Sequence, residues 1–482
     1  MRWPVRYVVL SMLTVACSGG GGDAPVAPDA TTDDVFSSDT DRPEISDDSL
    51  VAEASPDSVP TSCGDPDSFL PAWVRAAKPT LEIYVSPSGD DLNDGSKDKP
   101  YKTTAKGFSK LGTGVRVNFT TGNFECPPPV ITLLAPTSAP AIIRAVDGAR
   151  TAKFDCKGAG DFYFSHVTSV IVDGVEIGNT TGHGVQLDSG SPFDPASLSG
   201  EFVLMHSYVH DTALAGIKVA QSRRIYVVGN EFARAGVGRQ DVEFVASDAP
   251  VIVGNDAHES DAFDEVKGGA HGGLIALNRV HDMRPGAGGI LVGGDCTGKQ
   301  FLVDPTVDFE AKDLKVWGNV ITGTEGHAFR IVGCHDCLVA NNTYWAPAPK
   351  AILRVLHDAF GSPGGACDIP LHNAGVRVTN NIFAWSTSAL DVIPTDDDPK
   401  NISFDHNLWF AADKDVTGIF SDLPFKGEST SLYNRDPKLV APPGDVSLGA
   451  GSPASGAGVG LGEVSSTFDR RCVGGVVDIG AY

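Results

Sequence analysis

The densest group of residues that could carry out chemistry lies between Asn255 and His271. Five carboxylates fall close together in this segment, and a lysine follows them at position 267. Carboxylate oxygens are the ligands that Ca²⁺ prefers in proteins. The segment therefore predicts a Ca²⁺ site. Its carboxylates are Asp256, Glu259, Asp261, Asp264 and Glu265, and the candidate metal ligands among them are Asp256, Asp261, Asp264 and Glu265.

Lys267 lies beside these carboxylates and could act as a general base. A cation that neutralises the carboxylate of a uronic acid acidifies the neighbouring ring proton, which a lysine or arginine can then remove. An ordinary lysine has a pKa of about 10.4, so the base would need burial or nearby cations. We predict Lys267 as the base, with Lys218 and Arg330 as further catalytic candidates. The alternative is a solvated acidic loop with a surface lysine.

Two smaller motifs allow more than one interpretation. The pairs His210-Asp211 and His281-Asp282 could be acid–base or metal-binding residues, or turn histidines bonded to their neighbours. Cys334-His335-Asp336-Cys337 has the spacing of a zinc or redox motif. No second cysteine pair with such spacing exists, which favours a local disulfide or packed thiols over zinc.

A recurring asparagine indicates the elements that position these residues. It follows an apolar residue by three positions and precedes another by two. The spacings are 23, 48, 41, 23, 39 and 26 residues, and 23 is one coil, whereas the longer values contain a loop or a second coil. This self-similarity predicts a solenoid. We expect each asparagine to adopt a left-handed turn and its amide to stack into a ladder. The positions are Ser207, Asn230, Asn278, Asn319, Asn342, Asn381 and Asn407.

A second strand is predicted after each asparagine turn, with apolar side chains inward and other side chains outward. The outward positions form one stripe across the coils. Its predicted members are Gln186, Lys218, Glu265, Leu291, Arg330 and Asp391, of which Glu265 is uncertain in register by one residue.

The first 17 residues resemble a bacterial lipoprotein signal. Arg2 and Arg6 precede an apolar stretch, Val8 to Ala16, which is too short to span a bilayer, and Cys17 follows. The resemblance implies lipidation of Cys17 and attachment to the outer membrane or cell surface. An ordinary secretory signal, the alternative, also implies export. Residues 18–62 are rich in Asp, Ser and Pro and predict a disordered acidic linker.

The rest of the chain, residues 63–482, resembles right-handed parallel β-helix proteins at both ends. Ile83 to Thr103 is similar to their opening segment, and Thr104 to Leu111 predicts a short capping helix with a threonine N-cap. Gly451 to Ala454 and Val477 to Tyr482 are similar to their closing segment. The predicted fold class is all-β, a single-stranded right-handed parallel β-helix. If Cys17 carries lipid, eight of the nine cysteines remain, which suggests disulfides.

The net charge and the resemblance to parallel β-helix proteins limit the possible functions. The net charge of −24 argues against a nucleic-acid partner. Parallel β-helices commonly handle polysaccharides, and Glu265-Val266-Lys267-Gly268-Gly269 resembles a stretch of alginate-lyase-like members. We expect a monomer that binds or cleaves extracellular polysaccharide, with a polyuronate lyase as the specific hypothesis. The alternatives are a non-catalytic glycan-binding protein and a structural or adhesive surface protein.

Overall fold

The computed structural model describes residues 64–128, 130–157, 160–190, 193–294, 297–356, 372–387, 389, 393, 401–418, 430–473 and 475–482. All of them belong to one compact unit, residues 60–482. The predicted signal, Cys17, the linker and Asp391 lie outside the described residues. No helix within these ranges is long and apolar enough to cross a membrane.

The chain winds through successive coils whose strands pair in parallel with the coil before and the coil after, and this confirms the predicted parallel β-helix. Each coil contributes to up to three faces. The first face carries the strands that precede the asparagine turns. Its strands are Leu81–Val85, Val115–Phe119, Ala141–Ala145, the second half of Phe162–Asp173, Ser199–Met205, Ser222–Val228, Val251–Val253, Leu274–Ala276, Lys315–Trp317, Leu338–Ala340, Val376–Thr379 and Ile402–Asp405.

The second face is a sheet of twelve short strands that follow those turns. Its strands are Gly122–Glu125, Ala152–Asp155, Glu176–Gly178, Tyr208–His210, Glu231–Ala233, Asp256–His258, Arg279–His281, Val320–Thr322, Thr343–Ala346, Ile382–Trp385, Leu408–Ala411 and Leu432–Tyr433.

The third face carries the strands of the predicted outward stripe. Three two-residue strands, Ala270–His271, Ala311–Lys312 and Cys334–His335, form a small sheet of their own, and Leu439–Ala441 pairs antiparallel with Asp445–Leu448. The strands of the third face are Ile131–Leu134, the first half of Phe162–Asp173, Val185–Asp188, Ile217–Ala220, Gln240–Val245, Ala262–Lys267, Gly288–Gly293, His327–Val332 and Leu353–Leu356.

The asparagine ladder is confirmed. From Asn230 to Asn381, each ladder residue donates its backbone N–H to the side-chain oxygen of the next, at about 3.0 Å. Asn255 lies between Asn230 and Asn278, so their 48-residue spacing contains two coils. The left-handed conformation, however, lies one residue earlier than expected, as at Gly229, Leu277 and Asn341. Because the preceding residue makes the turn, the asparagine side chain points along the ladder.

The first open coil is closed by a helix shorter than predicted. It spans Thr104–Phe108 and is capped by Thr103, whose hydroxyl accepts a hydrogen bond from the backbone of Lys106. Phe108 packs against the buried rings of Phe119 and Phe162, so the helix seals the end of the apolar core. The other helices are Ala72–Ala76 and the 3₁₀ turns Pro66–Phe69, Pro195–Ser197 and Lys299–Phe301.

The two terminal segments of the described domain pack on the outside of the coils. Leu70 and Val74 lie against Val203 and Val228 on the first face. Ala454 and Ile479 lie against buried residues of the second face, such as Leu408. Apolar surface on these two faces is therefore covered by the protein itself. The groove described below opens on the third face.

Candidate functional site

Two rows of outward side chains run across four consecutive strands of the third face. The first row, called the lysine row after Lys218, consists of Gln186, Lys218, Glu243 and Glu265, which are paired in register. The shelf row lies two residues further along each strand and therefore points to the same side of the sheet. It consists of Asp188, Ala220, Val245 and Lys267.

Six of these eight residues, all except Gln186 and Glu265, form the floor of a groove of about 610 Å³. Lys218, Glu243 and Lys267 line it together with Ala220 and Val245. Phe193 and Phe301 also line the groove, and Phe301 is 50% exposed. A groove with charged groups and an exposed aromatic ring has the composition expected of a binding site.

Each lysine of the groove pairs with a carboxylate of the lysine row. Lys218 forms an ion pair with Glu243, and Lys267 Nζ lies 2.9 Å from Glu265 Oε2. Burial lowers the pKa of Lys218 against the opposing effect of Glu243, and the charge of Lys267 lowers it further. Burial would raise the pKa of Glu243, but the ammonium groups of Lys218 and Lys267 hold it below its usual value. The groove thus contains a lysine that loses its proton more readily than an exposed one.

A buried carboxylate holds the wall of the groove in place. Glu310 is fully buried and accepts hydrogen bonds from Thr297 N at 2.8 Å, Thr297 Oγ1 at 2.7 Å and Gly268 N at 2.7 Å. Burial raises its pKa despite these bonds. Thr297 lines the groove and Gly268 follows Lys267, so one side chain positions both.

Two of the three catalytic candidates lie in the groove, and the third lies outside it. Lys218 and Lys267 line the groove. Arg330 lies further along the third face, in register with Leu291 and Arg354, and is not one of the groove-lining residues. The structure thus brings the two lysines together and places Arg330 beyond them.

The four candidate Ca²⁺ ligands do not converge. Asp256 lies on the second face, where its Oδ1 is 2.6 Å from His281 Nε2. Asp261 lies before the third-face strand, 3.5 Å from Arg284. Only Glu265 points outward beside the groove, where it pairs with Lys267. Within the described ranges no three His, Cys, Asp or Glu residues are arranged to hold a metal ion. These four positions do not fit a shared Ca²⁺ ion.

Asp264 points into the core instead. Its register partner is Val242, which is fully buried, and its Oδ1 accepts a hydrogen bond from Leu291 N at 3.3 Å. Burial raises the pKa of Asp264 well above its usual value. A second buried carboxyl, Asp241, accepts a hydrogen bond from Ser260 Oγ at 2.6 Å, and burial raises its pKa to about 8. Both carboxyls are completely buried.

The two smaller motifs make local contacts within themselves. His210 Nδ1 lies 2.6 Å from Asp211 Oδ2 on the second face, and His281 makes the same contact with Asp282 at 2.8 Å. Asp211 and Asp282 both have positive φ angles, which supports the interpretation of bonded turn residues. Cys334 and Cys337 form a disulfide, as the local interpretation predicted, and Cys126 pairs with Cys156.

Glu243 was missed by the sequence analysis. Its strand was not recognised, although Val242-Glu243-Phe244 repeats the apolar–polar–apolar pattern of Ile217-Lys218-Val219 twenty-five residues earlier. The coil lacks the Gly or Ala residue that precedes the pattern in the recognised strands. The alternation at one coil's distance could have located it.

No protein family profile and no curated protein matches this chain. Several solved structures resemble it. A rhamnogalacturonan lyase is 14% identical, with 68% of this chain and 87% of that one covered and a TM-score of 0.49. A pectate lyase is 13% identical, with 87% and 99% covered and a TM-score of 0.40. A surface adhesin of Streptococcus pneumoniae is 12% identical, with 63% and 73% covered and a TM-score of 0.38. At these identities and TM-scores, the similarities say nothing about the activity of this chain.

Proposed function

We propose that this protein binds an acidic extracellular polysaccharide in the third-face groove and cleaves it by β-elimination, with Lys218 as the base. One observation carries the proposal. The groove combines a lysine of lowered pKa with a second lysine and an exposed aromatic ring. Such a set can pair with a carboxylate, stack against a sugar ring and accept a proton.

The proposed reaction needs no group beyond these side chains and water. The sequence predicts Lys267 as the base, but this proposal gives that role to Lys218, whose pKa burial lowers. Lys267 instead pairs with the carboxylate of a uronic acid and stabilises the negative charge that develops there. Lys218 takes the proton from the adjacent ring carbon in its deprotonated form, which its lowered pKa makes easier to reach than for an exposed lysine. The electrons of that C–H bond form a C=C bond, and the C–O bond to the neighbouring sugar breaks. The leaving oxygen takes a proton from water in the open groove.

Two other charged residues have supporting roles in this proposal. Glu243 holds the Lys218 amine against the groove floor, although it opposes the lowering of the Lys218 pKa. Arg330 lies on the same face beyond the groove, where it would contact a longer polysaccharide. We therefore expect Arg330 to contribute to binding of polymers rather than short oligomers.

The test is product formation from polygalacturonate, alginate and unsulfated glycosaminoglycans, followed by the absorbance of the unsaturated sugar. Lys218→Ala should abolish turnover, and Lys110→Ala, at an exposed lysine near the capping helix, should leave it unchanged. Product formation at the wild-type rate in Lys218→Ala would contradict the proposed base.

A second candidate is a non-catalytic glycan-binding or adhesive protein. It is favoured by the ion pairs Lys218–Glu243 and Lys267–Glu265, which neutralise both lysines without substrate. In that case a polysaccharide would bind to the groove and remain intact. Binding of the polysaccharide, measured by co-sedimentation, with no unsaturated product in the absorbance assay would select this candidate.

The proposal includes export and attachment to the outer membrane through lipid on Cys17. It rests on the sequence of the first 17 residues. The acidic linker would then hold the β-helix away from the membrane, with its groove open to solvent.

A further inference from the structure

The two ends of the groove floor carry opposite charges. Along the shelf row, Asp188 lies at one end, Lys267 at the other, and Ala220 and Val245 lie between them. Strands in a sheet are about 4.8 Å apart, so the two charges are separated by roughly 14 Å across three strand spacings. A polysaccharide lying across the strands would pass a cation, an apolar shelf and an anion in turn.

Asp188 is a fixed anion. Its Oδ1 accepts hydrogen bonds from Ser165 Oγ at 2.8 Å and Gly190 N at 2.9 Å, and its Oδ2 accepts one from Tyr163 Oη at 2.8 Å. These donors hold the carboxylate in place, so it cannot turn away from a ligand. A second carboxylate on the ligand at this end would be repelled.

The centre of the shelf row is apolar, next to the charged pair of Lys218 and Glu243. Val245 is 7% exposed, and Ala220 lies beside it in register. Phe301 lines the same groove as part of its wall, and Gln221 Nε2 donates a hydrogen bond to its carbonyl oxygen at 2.9 Å. A sugar covered with hydroxyl groups gains little binding free energy from an apolar surface. A methyl group placed there is removed from water, which favours binding.

We propose that the groove is selective for a polysaccharide in which an acidic sugar alternates with a neutral sugar that carries an acetyl group. This inference rests on the proposed binding function. The acidic sugar lies at Lys267 and Lys218, and the acetyl methyl lies over Ala220 and Val245 beside Phe301. A sugar residue is about as long as the strand spacing of about 4.8 Å, so the next carboxylate of an alternating chain lies before Asp188, and a neutral sugar faces Asp188. A homopolymer of uronic acids would place a carboxylate against Asp188 and a hydroxyl on the shelf.

The experiment compares two fluorescent hexasaccharides, one of alternating glucuronic acid and N-acetylglucosamine and one of galacturonic acid, by polarisation within seconds of mixing. We expect the alternating hexamer to bind at least about tenfold more tightly. Val245→Thr should weaken binding of the alternating hexamer alone, since it places a hydroxyl on the shelf. Asp188→Asn should strengthen binding of the homopolymer alone. Val237→Thr, at an exposed valine, is the matched control.

The outcomes separate this inference from the proposed function. Equal affinity of the two hexamers in the wild type, or a preference unchanged by both Val245→Thr and Asp188→Asn, would overturn the selectivity and leave the binding function standing. Failure of the wild type to bind either hexamer would overturn the binding function, and the selectivity with it.

Discussion

Asn230 Nδ2 donates a hydrogen bond to Asn255 Oδ1 at 3.1 Å, and the backbone N–H of Asn230 donates to the same oxygen at 3.0 Å. One side-chain oxygen thus satisfies two buried donors of the preceding coil. The unit repeats along the ladder, so every member depends on its neighbours.

Asn342→Leu should therefore destabilise the β-helix by about 1–3 kcal/mol, because the donors of Asn319 lose their acceptor. Denaturant unfolding measures the change. Asn123→Leu, at an exposed asparagine of the second face, is the control. Equal unfolding midpoints for Asn342→Leu and the wild type would show that the ladder contributes nothing to stability.

Asp241 should make stability depend on pH. Its pKa is raised by burial from 3.8 to about 8, so the folded protein favours the protonated carboxyl and loses stability as pH rises between about 4 and 8. Asp241→Asn keeps an acceptor for Ser260 but cannot ionise. The variant should gain stability over the wild type as pH rises through this range, as measured by thermal unfolding at several pH values. A constant difference, like that expected for the exposed Asp98→Asn, would argue against a buried titrating group.

Glu310 should be required for the shape of the groove wall. Glu310→Gln replaces one acceptor oxygen by an NH₂ group that faces a donor, which should cost about 1–3 kcal/mol. Proteolysis near Thr297 to Phe301 should become faster, since this wall loses its anchor. Glu125→Gln, at an exposed position, provides the comparison. Unchanged proteolysis in Glu310→Gln would mean that other contacts hold the wall.

Cys17 should determine the location of the protein. The wild type should partition with membranes, whereas Cys17→Ser should be released or remain unprocessed, because stable anchoring needs the acyl chains. Fractionation and the mass of the mature N-terminus measure both effects. Equal solubility and equal processing of the two proteins would contradict lipidation.

The fold was largely predictable because each coil repeats the same short sequence pattern. An apolar residue, a turn and an asparagine recur where the ladder requires them, and the structure confirms all six asparagines. Asn255 escaped notice because Gly254-Asn255-Asp256 precedes alanine rather than a large apolar residue, although Ala257 is fully buried.

The four candidate metal ligands lie apart for a geometric reason. Asp256 and Glu265 are nine positions apart, but the chain turns a corner between them, so they lie on different faces. Asp264 occupies an inward position that is apolar in neighbouring coils, such as Val242. A carboxylate in such a position looks exposed by residue type, and only the register reveals that it is buried. Lys218 and Glu265, by contrast, were placed on the outward side correctly.

The mode of cleavage is tested most directly by the fate of solvent oxygen. The purified protein would be incubated with the polysaccharide in water enriched in oxygen-18, and the product ends would be analysed by mass spectrometry. Elimination with Lys218 as base predicts an unsaturated end, no incorporated oxygen-18, and loss of this product in Lys218→Ala. Incorporation of oxygen-18 would indicate hydrolysis, and an intact polymer would show that no cleavage occurs; either result would contradict the β-elimination.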